Sequence, residues 1–159
     1  MRPYQIFAAM SPEKCEEIME KISADTPEAF RETVVSCAAA MKFRPQYLLK
    51  QPRKKQVASV RRALSRTGSN QLAEELLAVY FLKCRLPLLT EWLDIMKLEH
   101  EEGVLQAEEV PCPDAAEVKK GVDQFRGIDD DEDRTLLLQV FSAQSSIEWP
   151  ALEEILAAD

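Results

Sequence analysis

Few side chains in this chain of 159 residues have the types and spacing that catalysis or metal binding requires. His100 is the one histidine, and it lies between Glu99 and Glu101. A zinc site needs several Cys or His ligands at short spacing, and a helical di-iron site needs a Glu three residues before each of two histidines. The zinc site does not fit, because no other histidine and no nearby cysteine is available. The di-iron site does not fit, because position 97 is a lysine and there is no second histidine. We expect His100 on the surface near a helix C-terminus, where a positive charge is stabilised.

The acidic run, Asp129–Asp133, invites comparison with a calcium-binding loop. In an EF-hand loop that began at Asp129, the glycine position would hold Arg134 and the bidentate glutamate position would hold Val140. Neither residue suits its role. The sequence therefore predicts that these acids lie at the N-terminus of a helix, where the helix dipole stabilises negative charge.

The cysteines lack the close spacing of a zinc or redox motif. They are Cys15, Cys37, Cys84 and Cys112. Four free thiols in a reducing, cytoplasmic compartment are expected from this pattern. The most apolar stretch, 76–82, is far shorter than the ~20 residues of a bilayer span, so no transmembrane helix is expected.

No set of nucleophile, base and oxyanion donors emerges from the sequence. The chain contains four glycines, too few for a glycine-rich phosphate loop, and no G-x-S-x-G motif. We therefore predict no catalytic residue, no metal and no cofactor. An enzyme with an unrecognised carboxylate-based site is kept as the third hypothesis.

The basic residues are concentrated in one part of the chain, which we call the basic segment, Lys42–Arg66. It contains nine basic residues and no acid: Lys42, Arg44, Lys50, Arg53, Lys54, Lys55, Arg61, Arg62 and Arg66. The rest of the chain holds eleven basic and 28 acidic residues, a balance of −17. The net charge of −8 thus describes neither part.

Part of the basic segment has the spacing of an amphipathic helix over 53–66. Its buried stripe is predicted to be Val57, Val60 and Leu64. Lys54 and Arg61 flank this stripe, where their stems can pack and their charged groups can reach solvent. The candidate partner-binding residues are Lys55, Arg62, Arg66, Arg53, Lys54 and Arg61.

Three hypotheses compete for the basic segment. It can pair with the chain's own acidic segment, Glu99–Asp133, which holds 13 acids and three basic residues. It can dock an acidic protein partner, since charge patches steer association. It can also contact nucleic acid, although only Phe43 and Tyr47 are available there for base stacking and the remaining charge repels a polyanion. We favour a non-enzymatic protein-interaction or adaptor module, with a nucleic-acid-associated factor as the alternative.

The prolines indicate where the helices that carry these residues begin, because proline is tolerated at the first turn of a helix and disruptive inside one. Helices are predicted to start at Pro12, Pro27 and Pro52, with a short turn after Pro45. Thr26 is the expected N-cap of the second, and Gly68 the glycine that ends the 53–66 helix. Strand signals are nearly absent. The sequence predicts an all-α, compact bundle of seven or eight helices, with a HEAT-like helical-hairpin array as the alternative.

The remaining helices are predicted at 71–86, from Leu88 towards Gly103, and beyond residue 114. The helix over 71–86 is apolar most of the way round, so it is expected to be buried or, at 72–82, to form a homodimer. Phe141 and Trp149 are expected in the core. Two prolines at 111 and 113 favour a linker over 105–113 between an N-terminal bundle, 1–104, and an acidic subdomain, 114–159.

Overall fold

The computed structural model describes all residues, 1–159, and divides them into two compact units. The N-terminal unit is Arg2–Cys84, and the C-terminal unit is Arg85–Asp159 together with Met1. The chain contains ten α-helices and one two-stranded hairpin. The predicted all-α class is confirmed, with more helices than the expected seven or eight.

The N-terminal unit contains six α-helices, a 3₁₀ turn and a π-helical turn. They are α1 (Pro3–Ala9), α2 (Pro12–Asp25), α3 (Pro27–Ala40), α4 (Pro45–Leu49), α5 (Arg53–Leu64), the 3₁₀ turn Thr67–Ser69, α6 (Asn70–Val79) and the π turn Tyr80–Cys84. The first four helices begin at a proline, whose fixed φ suits a first turn and whose missing N–H would be unpaired there anyway. The sequence did not predict α1.

The N-terminal unit closes on itself. α1 packs against both α5 and α6, and α2 packs against α3, α5 and the π turn. In a helical-repeat array each repeat contacts only its neighbours along the chain. Contacts between the first and the last helices of this unit therefore favour a bundle over the HEAT-like alternative.

Two helix ends in the N-terminal unit differ from the prediction. α5 ends at Leu64, where the Ser65 hydroxyl donates to the Arg61 carbonyl, and Gly68 lies in the 3₁₀ turn instead of ending the helix. The helix predicted over 71–86 ends at Val79. The ring of Pro87 cannot be accommodated in the interior of a continuous α-helix, and a π turn replaces the last turns.

The Thr26 side chain also acts differently from the prediction. Thr26 occupies the N-cap position of α3, but no amide of α3 donates to its side chain. Its hydroxyl instead donates to the Ile22 carbonyl, 3.1 Å away, at the end of α2. Thr26 therefore closes the preceding helix, a common alternative for a short polar side chain.

The C-terminal unit contains four helices and the hairpin. They are α7 (Leu86–Ile95), β1 (His100–Glu101), β2 (Val104–Leu105), α8 (Ala115–Arg126), α9 (Glu132–Ala143) and α10 (Pro150–Ala157). Aromatic rings form the centre of this unit, since Trp92 contacts Phe125 and Phe141, and Phe141 contacts Trp149 with ring centroids 5.0 Å apart. The predicted burial of Phe141 and Trp149 is confirmed.

The hairpin corrects the prediction of a helix reaching Gly103. α7 stops at Ile95 because Lys97 adopts φ 56° and the Leu98 amide donates back to the Leu93 carbonyl. β1 and β2 then pair antiparallel through a two-residue turn in which Glu102 and Gly103 both have positive φ, 49° and 87°. This is the backbone of a type I′ turn, formed here without the usual Asn-Gly or Asp-Gly pair.

The boundary between the two units along the chain lies between Cys84 and Arg85. Residues 105–113 belong to the C-terminal unit, and the Trp149 indole N–H donates to the Val110 carbonyl, 3.0 Å away. The division into 1–104 and 114–159 stays a prediction. None of the helices combines the length and apolar character that a membrane crossing requires.

Candidate protein-interaction surface

The basic segment lies in the N-terminal unit, begins just after the end of α3 and includes all of α4 and all of α5. Eight of its nine basic residues are exposed, and Arg61 is half-buried. None of them forms an ion pair within this unit, whereas Lys14 and Lys21 of α2 both pair with Glu17. The structure therefore presents the segment's positive charge to solvent without neutralising it inside the unit.

The first turn of α5 concentrates this charge against the helix dipole. Pro52 at the N-cap supplies no side-chain acceptor, and the first turn contains no acid. Arg53, Lys54 and Lys55 stand there instead, next to the partial positive charge of the helix N-terminus. Cations in this position are unfavourable by a few tenths of a kcal/mol each, so an anionic partner would relieve a local repulsion.

The α5 side chains divide into a core face and a solvent face, as the spacing predicts. Val57, Val60 and Leu64 are buried. Lys55 and Arg62 are exposed two turns apart on the opposite face, about 10 Å along the helix axis. Arg66 is also exposed but lies beyond the helix end, where its backbone is extended. The helical periodicity of α5 therefore does not determine the direction of the Arg66 side chain.

Arg61 and Arg53 are held by contacts that the sequence did not predict. The Arg61 Nε and Nη2 atoms donate to the Met10 carbonyl at 3.2 and 2.7 Å, at the end of α1. The Arg53 guanidinium lies over the ring of Phe30 in α3. Neither contact follows a helical spacing, so only the tertiary structure shows them. Arg61 joins two helices, while Arg53 is exposed and fixed in position.

The acidic run starts α9, which confirms the predicted helix N-terminus. Asp131 is the N-cap, and its carboxylate accepts from the Asp133 amide at 3.0 Å. Partial burial alone would raise the pKa of Asp131, but hydrogen bonds from Arg85 and from that amide hold it below its usual value. Asp131 therefore remains charged at neutral pH.

The sequence did not predict that two residues of this region are buried. Asp133 is 1% exposed and Arg134 is 5% exposed. Arg85 bonds to Asp131 at 2.6 Å and to Asp133 at 2.9 Å. Arg134 bonds to Asp129 at 2.7 Å and to Glu91 at 2.8 Å, and its hydrogen bond to Asp129 lowers the pKa of that exposed carboxyl. These acids therefore have arginine partners inside the C-terminal unit, and pairing of the acidic segment with the basic segment stays a prediction.

His100 occupies a different environment from the one predicted. It lies in β1 with 15% of its side chain exposed, not on an open helix end. Its Nε2 is 2.8 Å from the Asp94 Oδ1, and its Nδ1 accepts from the Gly103 amide at 3.2 Å. The Nε2 contact joins the hairpin to the end of α7, and the Nδ1 contact lies within the hairpin, where it binds the amide of its turn.

Other potentially reactive groups do not assemble into a site. No group of three or more His, Cys, Asp or Glu side chains is arranged to hold a metal ion. The four cysteines are free thiols. A cleft of about 220 Å³ between α7 and α8 is lined by Glu117, Gln124 and two lysines among apolar groups, with no nucleophile beside a base. No family model, curated protein or solved structure matches the chain.

Proposed function

We propose that the chain is a non-enzymatic helical interaction module that docks an acidic protein partner on the basic segment. One observation carries the proposal: nine basic residues without an intervening acid are exposed or half-exposed in the N-terminal unit, and none forms an ion pair there. The exposed members on and beside α5 supply the docking charges. They are Arg53, Lys54, Lys55, Arg62 and Arg66.

An acidic protein fits this surface better than a nucleic acid does. Charge complementarity mainly raises association rates and excludes wrong partners. Phosphate binding instead depends on a surface that is basic over the length of a nucleic-acid backbone. Outside the basic segment the chain carries a balance of −17, which opposes an extended polyanion and tolerates a compact acidic segment. The nucleic-acid alternative rests on the same side chains and enters the test directly.

The experiment measures the binding of a short fluorescein-labelled polyglutamate peptide and of a labelled single-stranded oligonucleotide by fluorescence anisotropy at low and high salt. Polyglutamate is expected to bind and to weaken as salt rises, because salt screens exposed charges. The triple variant Lys55→Glu, Arg62→Glu and Arg66→Glu is expected to abolish this binding. These residues are exposed, so circular dichroism should show an unchanged helical fold.

A matched control separates the surface from the net charge. The triple variant Arg31→Glu, Lys83→Glu and Lys120→Glu changes the net charge equally at exposed sites outside the basic segment, and it should retain binding. An equal loss in both triple variants would contradict a defined docking surface, as would no polyglutamate binding at low salt. Binding of the oligonucleotide alone would support the nucleic-acid alternative in place of the proposal.

A further inference from the structure

Two large apolar side chains are exposed within the basic segment. Phe43 is 41% exposed and Tyr47 is 59% exposed, and they are the exposed large apolar residues of the N-terminal unit. Their ring centroids are 6.2 Å apart with the planes at 64°, an edge-to-face arrangement. We call Phe43 and Tyr47 the anchor pair. Aromatic side chains and arginines together are typical of the centre of a protein interface.

The backbone around Phe43 is fixed by the end of α3. The Phe43 amide donates to the Ala38 carbonyl at 2.8 Å, and the Lys42 amide donates to the Ala39 carbonyl at 3.1 Å. This is a Schellman motif, with Lys42 at φ 60° in the position that glycine usually occupies. A lysine in the left-handed region is unfavourable by about 1 kcal/mol or more. The motif nevertheless holds Phe43 at the surface beside a positive charge.

The other half of the anchor pair is tied to the basic helix by a buried amide. Gln56 of α5 is 7% exposed, and its side-chain nitrogen donates to the carbonyls of Leu48 and Leu49 at 3.2 and 3.0 Å. The end of α4, which carries Tyr47, is thereby joined to the first turns of α5. α3 packs against both helices. The anchor pair and the charges of α5 consequently lie on or next to helices that pack together.

The anchor pair indicates which kind of side chain the partner has in addition to its acidic residues. A polyanion alone gains nothing from an exposed phenyl ring, whereas a bulky apolar side chain removes that surface from water on binding. Successive nucleic-acid bases stack on open ring faces. In the edge-to-face pair one ring's edge abuts the other's face, which suits a single inserted side chain better than a run of stacked bases.

We infer that the surface recognises an acidic peptide segment that contains a bulky apolar residue, with this residue on the anchor pair and its neighbouring carboxylates on the cations of α5. The inference rests on the proposed function and specifies its partner. The cations attract and orient the segment, and the anchor pair selects among acidic segments by their apolar residue. Specificity then comes from the aromatic contact, since charge alone discriminates weakly between acidic sequences.

The test compares two labelled synthetic peptides that alternate Glu and Ser and differ only in a central Trp or Ser. The Trp peptide is expected to bind the protein about tenfold or more tightly, as burial of one aromatic anchor permits. The double variant Phe43→Ser and Tyr47→Ser should remove this difference and leave binding of the Ser peptide unchanged. Circular dichroism of the double variant checks that it keeps its helical fold.

The outcomes separate the inference from the proposed function. The anchor inference is overturned if the two peptides bind the protein with equal affinity. The docking function remains intact in that case if neither peptide binds the Lys55→Glu, Arg62→Glu, Arg66→Glu variant. No salt-dependent binding of either peptide overturns the docking function itself. A labelled oligonucleotide that binds more tightly than the Trp peptide, and depends on the anchor pair, overturns the inference in favour of nucleic acid.

Discussion

The guanidinium of Arg53 lies over the ring of Phe30, with its carbon 4.4 Å from the ring centroid. Phe30 is 7% exposed, so the arginine covers the edge of the α3 core while its own charge faces solvent. A planar guanidinium stacks on an aromatic face in a way that an ammonium group does not reproduce. A substitution of Arg53 by lysine can therefore remove the stacking contact and keep the positive charge.

The first prediction concerns this stack. Arg53→Lys keeps the charge and loses the planar contact, so the free energy of unfolding should fall by about 0.5–1 kcal/mol. Polyglutamate binding should change little. Urea denaturation and anisotropy titration measure the two quantities. Lys54→Arg, at the exposed neighbouring position, is the control and should leave stability unchanged. Unaltered stability of Arg53→Lys would show that the stack contributes nothing to the fold.

The second prediction distinguishes the structural arginine of α5 from its exposed neighbour. Arg61→Met removes two hydrogen bonds to the Met10 carbonyl and should lower the free energy of unfolding by about 1.5–3 kcal/mol. Arg62→Met removes an exposed charge and should cost less than about 0.5 kcal/mol. Polyglutamate affinity should show the reverse order, with the greater loss in Arg62→Met. Equal stability of the two variants would contradict the role given to Arg61.

The sequence was sufficient for the features that depend on local rules. Helix starts at Pro12 and Pro27 follow from the fixed φ of proline, and the buried face of α5 follows from the spacing of its three apolar residues. The position of the acidic run at the start of α9 follows from the helix dipole. Each of these properties is decided within a few residues along the chain.

The sequence was insufficient where a side chain meets a distant partner. Nothing near Arg134 indicates that Glu91 will bind it, and nothing near Arg61 indicates the Met10 carbonyl. The Glu102–Gly103 turn lacks a residue pair that signals a hairpin, and its geometry depends on where α7 ends. The same limit applies to the anchor pair, because the exposure of Phe43 is set by tertiary packing and not by its neighbours in sequence.

The third prediction is a loss of stability in acid that depends on Asp131. Its pKa is lowered in the folded protein, so near and below pH 4 the unfolded chain binds more protons and the free energy of unfolding rises with pH. Stability should therefore be complete above the unfolded value and fall as the pH drops through the lower folded value. Asp131→Asn should reduce the free energy of unfolding at pH 6 by about 0.5–1 kcal/mol. The free energy of unfolding of this variant should also fall less steeply as the pH drops.

Urea denaturation between pH 2 and pH 6 measures this effect. Asp130→Asn is the matched control, because Asp130 is exposed in the same run and takes part in none of the ion pairs of the C-terminal unit described above. It should leave the slope with pH unchanged. If the free energy of unfolding falls equally gently with decreasing pH in both variants, the total charge of Asp129–Asp133, and not the bond from Arg85 to Asp131, controls stability in acid.

The fourth prediction concerns the thiols. Burial raises the pKa of Cys15 to about 11 and that of Cys37 to about 12, and burial together with a hydrogen bond to Asp25 raises the pKa of Cys84 to about 11. Cys112 alone is exposed. Because the thiolate is the reactive form, Cys112 should react with a disulfide reagent in the folded protein and the other three only after unfolding. Cys112→Ser should abolish the fast phase at pH 8, measured by absorbance with and without guanidinium.

A fast phase that survives in Cys112→Ser would contradict this prediction, because a second thiol would then react in the folded protein. Cys84 is the half-exposed candidate, and its thiol would be more accessible than its burial and its contact with Asp25 allow.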